Sequence, residues 1–129
     1  MLLLSFASQE ERRKYGSSAF LEIQFCRMPK ETLFNEIVAV ENITNWQNDS
    51  LYVHEIADFI SIYGKYFDGG IHNNMKSGSL DVYGINYYSS DFLKRLIERI
   101  LNDKPAEYNQ FINWLKQAEK YNGFYILGI

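Results

Sequence analysis

Two hydrophobic periods share this chain, and together they fix the kind of fold open to it. Between Ala19 and Met28, Leu21, Ile23 and Phe25 alternate with Glu22, Gln24 and Cys26. That period of two belongs to a strand with one face in a core and the other polar or covered. Between Asp91 and Asn102, Leu93, Leu96, Ile97, Ile100 and Leu101 recur opposite Lys94, Arg95, Glu98 and Arg99, the stripe of an amphipathic helix. A chain that carries both must build a sheet and pack helices on it. With 129 residues, 47% of them hydrophobic and 16% aromatic, there is apolar surface enough for one core. No linker, low-complexity tract or repeat of roughly 20 to 50 residues interrupts it, so a single domain over 1–129 is expected.

The remaining elements follow from caps and breakers. Met1 to Ala7 is apolar but lacks a basic leading segment and is too short for a signal peptide or a membrane span, so it reads as an edge or buried strand. Ser8 and Glu11 have capping-box spacing, predicting a short helix from Gln9 to Tyr15 with Gly16 as its stop. Pro29 ends the alternating strand, and Leu33, Phe34, Ile37 and Val38 then recur at helical spacing from about Lys30 to Ala39. Val38 to Val40 and Ile43 fit a strand equally well, which leaves residues 30–46 open between helix and strand. The polar run Asn45 to Ser50 is a loop. Tyr52, Ile56, Phe59, Ile60 and Tyr63 predict a helix within Leu51 to Tyr66, with Asp49 or Ser50 as cap.

A glycine- and asparagine-rich loop at Asp68 to Ser79 leads into a second alternating stretch. There Leu80, Val82 and Gly84 oppose Asp81, Tyr83, Ile85 and Tyr87, a strand that Ser89, Ser90 and Asp91 convert into the helix already described. Beyond Pro105, Tyr108, Phe111, Ile112, Leu115 and Ala118 mark another helix ending near Tyr121. Gly123 stops it, and Phe124 to Leu127 form a terminal strand. Three or four strands with four or five helices predict an α+β domain, its helices packed on one side of a small mixed or antiparallel sheet.

Motifs that would fix a chemistry are absent. The single cysteine, Cys26, rules out an internal disulfide and points to the cytoplasm. Two histidines and one cysteine, none in HxxxH or CxxC spacing, predict no metal. No phosphate-binding glycine loop or nucleophile elbow predicts a cofactor or a covalent mechanism. His72, with Asp68 and Asp81 near it in sequence, is the one arrangement that suggests an oriented general base. Without a nucleophile, a histidine that only hydrogen-bonds its loop is the simpler reading. His54, inside the predicted third helix, reads as structural.

Charge and aromatic content point instead to binding. The net charge is −3, but Glu31, Glu36, Glu41, Asp49, Glu55 and Asp58 lie in a segment from Glu31 to Gly64 that holds no lysine or arginine. Such a segment repels phosphate backbones and attracts a basic protein, so neither nucleic acid nor membrane is the expected partner. A merely solvated helix face explains the same acids equally well. Of ten tyrosines, Tyr63, Tyr66, Tyr83, Tyr87 and Tyr88 cluster around the glycine-asparagine loop. Tyrosine gives large contact area at low entropy cost, which suits an interface, although about half of such residues serve a core.

The run DGGIHNN, followed by LDVYGINYYS and the amphipathic helix, spans Asp68 to Leu101. It resembles small bacterial immunity proteins encoded beside polymorphic or contact-dependent toxins. The resemblance implies a cytosolic, non-catalytic chain that binds a cognate toxin domain, often through acidic and aromatic residues. On that reading Glu55, Asp58, Asp68 and Asp81 supply charge, Tyr83, Tyr87 and Tyr88 supply anchors, and His72, Asn73 and Asn74 complete a partner-binding surface against a basic toxin such as a nuclease. The alternatives are a small hydrolase or transferase using His72 with Asp68 or Asp81, and another protein inhibitor such as a phage-encoded one.

Overall fold

A computed structural model describes residues 1–15 and 19–128. In chain order its elements are β1 (Leu3–Leu4), α1 (Gln9–Lys14), β2 (Leu21–Phe25), α2 (Phe34–Ile37), β3 (Leu51–Val53), α3 (Ile56–Tyr63), β4 (Gly70–His72), β5 (Ser77–Gly78), β6 (Ile85–Tyr88), α4 (Ser90–Asp103), α5 (Tyr108–Ala118) and β7 (Phe124–Leu127). The strands form one seven-stranded sheet in the order β1-β3-β2-β7-β6-β4-β5, and every pairing is antiparallel.

Register decides which side chains face which layer. β2 pairs with β7 through Glu22↔Leu127, Ile23↔Ile126, Gln24↔Tyr125 and Phe25↔Phe124. Alternation therefore places Leu21, Ile23, Phe25, Phe124 and Ile126 together on one face, under α3, α4 and α5. Phe25 lies flat on Trp114 of α5, with centroids 4.2 Å apart and planes 6° from parallel. Leu93, Leu96 and Ile100 of α4 are buried in the same layer, each worth about 1.5–3 kcal/mol in removed apolar surface. The Ser89 hydroxyl accepts from the Phe92 amide to start α4, and Lys104, in the left-handed region just before Pro105, ends it. Glu107 joins this layer to the sheet edge, its carboxylate accepting the Leu2 and Leu3 amides at 2.5 and 3.2 Å.

The opposite face carries Glu22, Gln24, Tyr52, Tyr87, Tyr125 and Leu127, all buried. A long excursion covers much of it. Strands β2 and β3 are neighbours, with Ile23 opposite Leu51, so a turn of a few residues could connect them. The chain instead inserts residues 26–50, with only the single turn of α2 and a 3-10 turn at Val40–Asn42 as regular structure. Residues 28–50 of this excursion are called the strap below. The Tyr125 hydroxyl donates to the Ile37 carbonyl at 2.6 Å and so fixes the middle of the strap to the sheet.

Five expectations change. The helix from Lys30 to Ala39 reduces to Phe34–Ile37, because only Ile37 and Val38 are buried against the sheet; Phe34 touches Tyr87 with one side of its ring, and Leu33 and Val40 are exposed. The third helix begins at Ile56 rather than near Leu51, because Leu51–Val53 is claimed by pairing with both β1 and β2. Neither Asp49 nor Ser50 caps it: Asp49 pairs with Arg27, and the Ser50 hydroxyl donates to Glu22. The strand expected from Leu80 starts at Ile85, since Asp81 to Gly84 form a turn. Finally, the sheet is larger than expected, and both its faces are covered rather than one. Gly16, expected to stop α1, lies outside the described residues.

Candidate functional site

Two buried polar side chains hold the strap to the sheet. The Glu22 carboxylate accepts from the Trp46 amide at 2.7 Å, the Gln47 amide at 2.8 Å, the Ser50 hydroxyl at 2.7 Å and Gln24 Nε2 at 3.1 Å. Gln24 Nε2 also donates to the Thr44 carbonyl at 2.7 Å. A carboxylate sunk in a sheet face is tolerated only when donors surround it, so this one is a clamp. The strap then rises as the 3-10 turn Val40–Asn42. With three residues per turn, side chains 40, 41 and 42 point in three directions. Val40, with Ile43 and Asn45, lines a groove, Asn42 and Thr44 line a second cavity, and Glu41, between Val40 and Asn42 in the chain, is exposed.

The far wall of the groove is the turn Asp81–Gly84, which a fully buried Asn86 holds. The Asn86 carbonyl oxygen accepts the Asp81 amide at 2.8 Å, and its Nδ2 donates to the Asp81 and Ile126 carbonyls at 2.8 and 2.9 Å. The Asp81 carboxylate accepts the Tyr83 amide at 2.9 Å. β7 runs up against this turn: a Cβ on Gly128 would lie 2.5 Å from both the Gly84 nitrogen and the Val82 carbonyl oxygen. Only glycine lets the two backbones approach so closely. Between these walls lies a groove of about 450 Å³ floored by the paired strand residues Ile85 and Leu127 and lined also by Asn73. Tyr83, 79% exposed, and Val40, 65% exposed, both line it and reach solvent.

Several residues singled out in the sequence come together here and others do not. Tyr83 and Asn73 line the groove, and Asp81 shapes the turn beside it. Asn73 Nδ2 donates to the Val38 carbonyl at 2.9 Å, fastening the β4–β5 hairpin to the strap, while Asn74 accepts the Lys76 amide and forms the hairpin turn with Met75 in the left-handed region. His72 holds the same hairpin through Nε2, 2.9 Å from the Ser79 carbonyl. Among the described residues it makes no ion pair with Asp68 or Asp81, so an imidazole oriented by a carboxylate is not assembled.

Tyr87 and Tyr88 are each 1% exposed and cannot serve as surface anchors. Tyr87 donates to the Asn122 carbonyl and stands beside Tyr125, while Tyr88 stacks on Phe124, so strand alternation sends one into each layer. Tyr63 and Tyr66 are core residues as well. Glu55 and Asp58 open α3, in the helical layer on the other side of the sheet from the groove, and Glu55 lies 3.6 Å from the N-terminal amine. Asp68 is exposed at the start of the hairpin, off the groove.

The sequence reading missed Val40, Ile43, Ile85 and Leu127 as lining, and Glu22 and Asn86 as supports. Their only local signals were the undecided period over 30–46 and a polar residue inside each alternating run.

The chemistry available at the groove is contact chemistry. Its lining offers apolar surface, two amides and one phenol. Among the described residues no group of three or more His, Cys, Asp or Glu could hold a metal ion. Burial pushes the Cys26 thiol up from its ordinary range, against its use as a thiolate nucleophile. The second cavity, about 370 Å³, is lined by Gln24, Asn42, Thr44 and Gln47 together with Phe25, Met28, Pro29 and Tyr125, and by Arg27, which pairs with Asp49. Among the described residues, no helix is long and apolar enough to cross a membrane. No family model matches the chain, and no curated protein or solved structure is significantly similar to it.

Proposed function

We propose that this chain is a non-catalytic protein-binding module, most concretely an immunity protein that neutralises the toxin domain encoded beside it. The observation that carries the reading is the strap. A long irregular connection between two strands that already pair is uncommon unless it serves a purpose. This one exposes Leu33, Phe34 and Val40 together with Glu31, Glu36 and Glu41. Exposed apolar side chains set among acids suit a basic protein surface. A nuclease domain has such a surface, because its substrate groove must hold phosphates.

The acids that matter on this reading are those of the strap, not Glu55 and Asp58. The test is stopped-flow association with the toxin domain encoded by the adjacent gene, measured across a salt series. The on-rate should fall with salt, fall further in Glu36→Lys/Glu41→Lys, and stay near the parent value in Glu55→Lys/Asp58→Lys. Neighbouring genes without a toxin domain, or an on-rate indifferent to both salt and the strap reversal, would overturn the proposal.

A further inference from the structure

We infer that the groove between Val40 and Tyr83 is an anchor site for one large apolar side chain of a basic partner segment, with a lysine or arginine beside that side chain meeting Glu41. The inference deepens the protein-binding reading and rests on it for the identity of the partner. Three features carry it. The floor and near wall are aliphatic, from Ile85, Leu127, Ile43 and Val40, and at about 450 Å³ the groove has the size of a small-ligand site. Its exposed lining residue Tyr83 is presented, not adrift: the Asp81 carboxylate holds its amide, and Asn86 holds the Asp81 backbone at both nitrogen and oxygen. With the backbone beneath it fixed in this way, only the two side-chain torsions of Tyr83 are left to order when it closes over a guest. The third is charge. Glu41 follows Val40 on the exposed crest of the 3-10 turn, with Glu36 one turn earlier on the strap and no lysine or arginine from residue 31 to residue 64.

The second cavity is lined by Asn42 and Thr44 of the same strap, but it also carries the guanidinium of Arg27, a cation that does not favour a basic guest. The geometry thus asks for a side chain such as phenylalanine or leucine with a cationic neighbour, and it disfavours the same side chain between acids.

The probe is the capped tripeptide acetyl-Lys-Phe-Lys-amide, titrated into the ¹⁵N-labelled protein and followed by amide chemical shifts. Its companions are acetyl-Lys-Ala-Lys-amide and acetyl-Glu-Phe-Glu-amide. Shifts should concentrate at Val40, Ile43, Tyr83, Ile85 and Leu127. Affinity should fall roughly tenfold or more when alanine replaces phenylalanine, as expected for a buried aromatic ring, and it should also fall with the acidic peptide. Tyr83→Ala and Val40→Ser, both at exposed positions, should keep the folded spectrum and lose the peptide. No saturable shift at millimolar peptide, shifts centred elsewhere, or equal response to all three peptides would overturn the inference.

The two proposals fail separately. If the peptide seats in the groove but the neighbouring toxin domain does not associate, the immunity reading falls and the anchor site stands. If the toxin domain associates with the expected salt dependence but dissociates from Tyr83→Ala and Val40→Ser as slowly as from the parent, the anchor site falls and the reading stands.

Discussion

Replacing Gly123 by alanine should be one of the most damaging single-methyl changes in this chain, and the structure shows how much of the cost is contact. Gly123 turns the chain from the end of α5 into β7 at φ 74°, in the left-handed region. A Cβ there would lie 2.1 Å from the Tyr88 carbonyl oxygen and 3.1 Å from both the Ser89 Cα and the Tyr87 hydroxyl. The neighbouring backbone cannot yield without loss. The Cys26 amide donates to the Gly123 carbonyl at 3.1 Å, the Asn122 amide donates to the Cys26 carbonyl at 3.0 Å, and Tyr88 pairs with Phe124.

The left-handed conformation alone costs a non-glycine residue about 1–2 kcal/mol, of which roughly half a kcal/mol or more returns because alanine restricts the unfolded chain. Relieving the overlap needs a shift of about 1 Å, which gives up one or two backbone hydrogen bonds at about 1 kcal/mol each and some packing. The sum is about 3 kcal/mol, or a fall of about 10 °C in melting temperature for a domain of this size. Gly69→Ala is the internal control. Gly69 also has positive φ, 100°, but its nearest neighbour would be Phe92 at 3.9 Å, so only the conformational cost applies, about 1 kcal/mol. Urea unfolding followed by circular dichroism measures both. A Gly123→Ala cost no larger than that of Gly69→Ala would refute the close approach of β7 to the end of β6.

Two further outcomes follow from buried polar groups. Glu22→Ala strips the strap of its clamp. Charge-assisted bonds worth about 1.5–3 kcal/mol each, offset by relief of a buried carboxylate, leave a net loss of about 2–4 kcal/mol in urea unfolding. Trp46, stacked on Tyr52 with centroids 5.8 Å apart, should lose near-ultraviolet dichroism with it; unchanged stability would show that Glu22 does not hold the strap. For pH, burial raises the Tyr52 phenol to about 12, and burial likewise raises Tyr63, Tyr87, Tyr88 and Tyr125 above the ordinary tyrosine range. Their folded forms keep the proton while unfolded phenols release it near 10, so their contribution to stability is whole below about pH 10 and is lost as pH rises through the folded values. Absorbance near 295 nm should show these phenols ionising only with unfolding, whereas a smooth titration of every tyrosine near 10 would contradict their burial.

Where one period dominated, the sequence was readable to within about three residues at each end. α4 with its serine cap, the break at Pro105, α5, and the strands β2 and β7 follow from side chains that repeat cleanly and from residues with fixed backbone preferences. The errors fell where apolar residues serve two masters. Tyr52 sits in register with a helical stripe, yet Leu51–Val53 is strand because β1 and β2 flank it on both sides. Tyr87 and Tyr88 looked like anchors because tyrosine suits an interface, yet β6 lies inside the sheet between β4 and β7. Tyr83, a few residues earlier, is exposed only because Asn86 turns the chain at Asp81 to Gly84 before the strand begins.

By itself the amino-acid sequence determined the α+β class, the two long helices and the concentration of acids between Glu31 and Gly64, all of which are properties of neighbours along the chain. The groove was decided by tertiary structure alone. Its walls come from the strap, from the turn before β6 and from the end of β7, and what unites them is pairing between strands far apart in sequence and the hydrogen bonds of Glu22 and Asn86. Local periodicity records which face of an element is apolar. It does not record which distant backbone will arrive to cover that face, and so it cannot tell a covered tyrosine from a presented one.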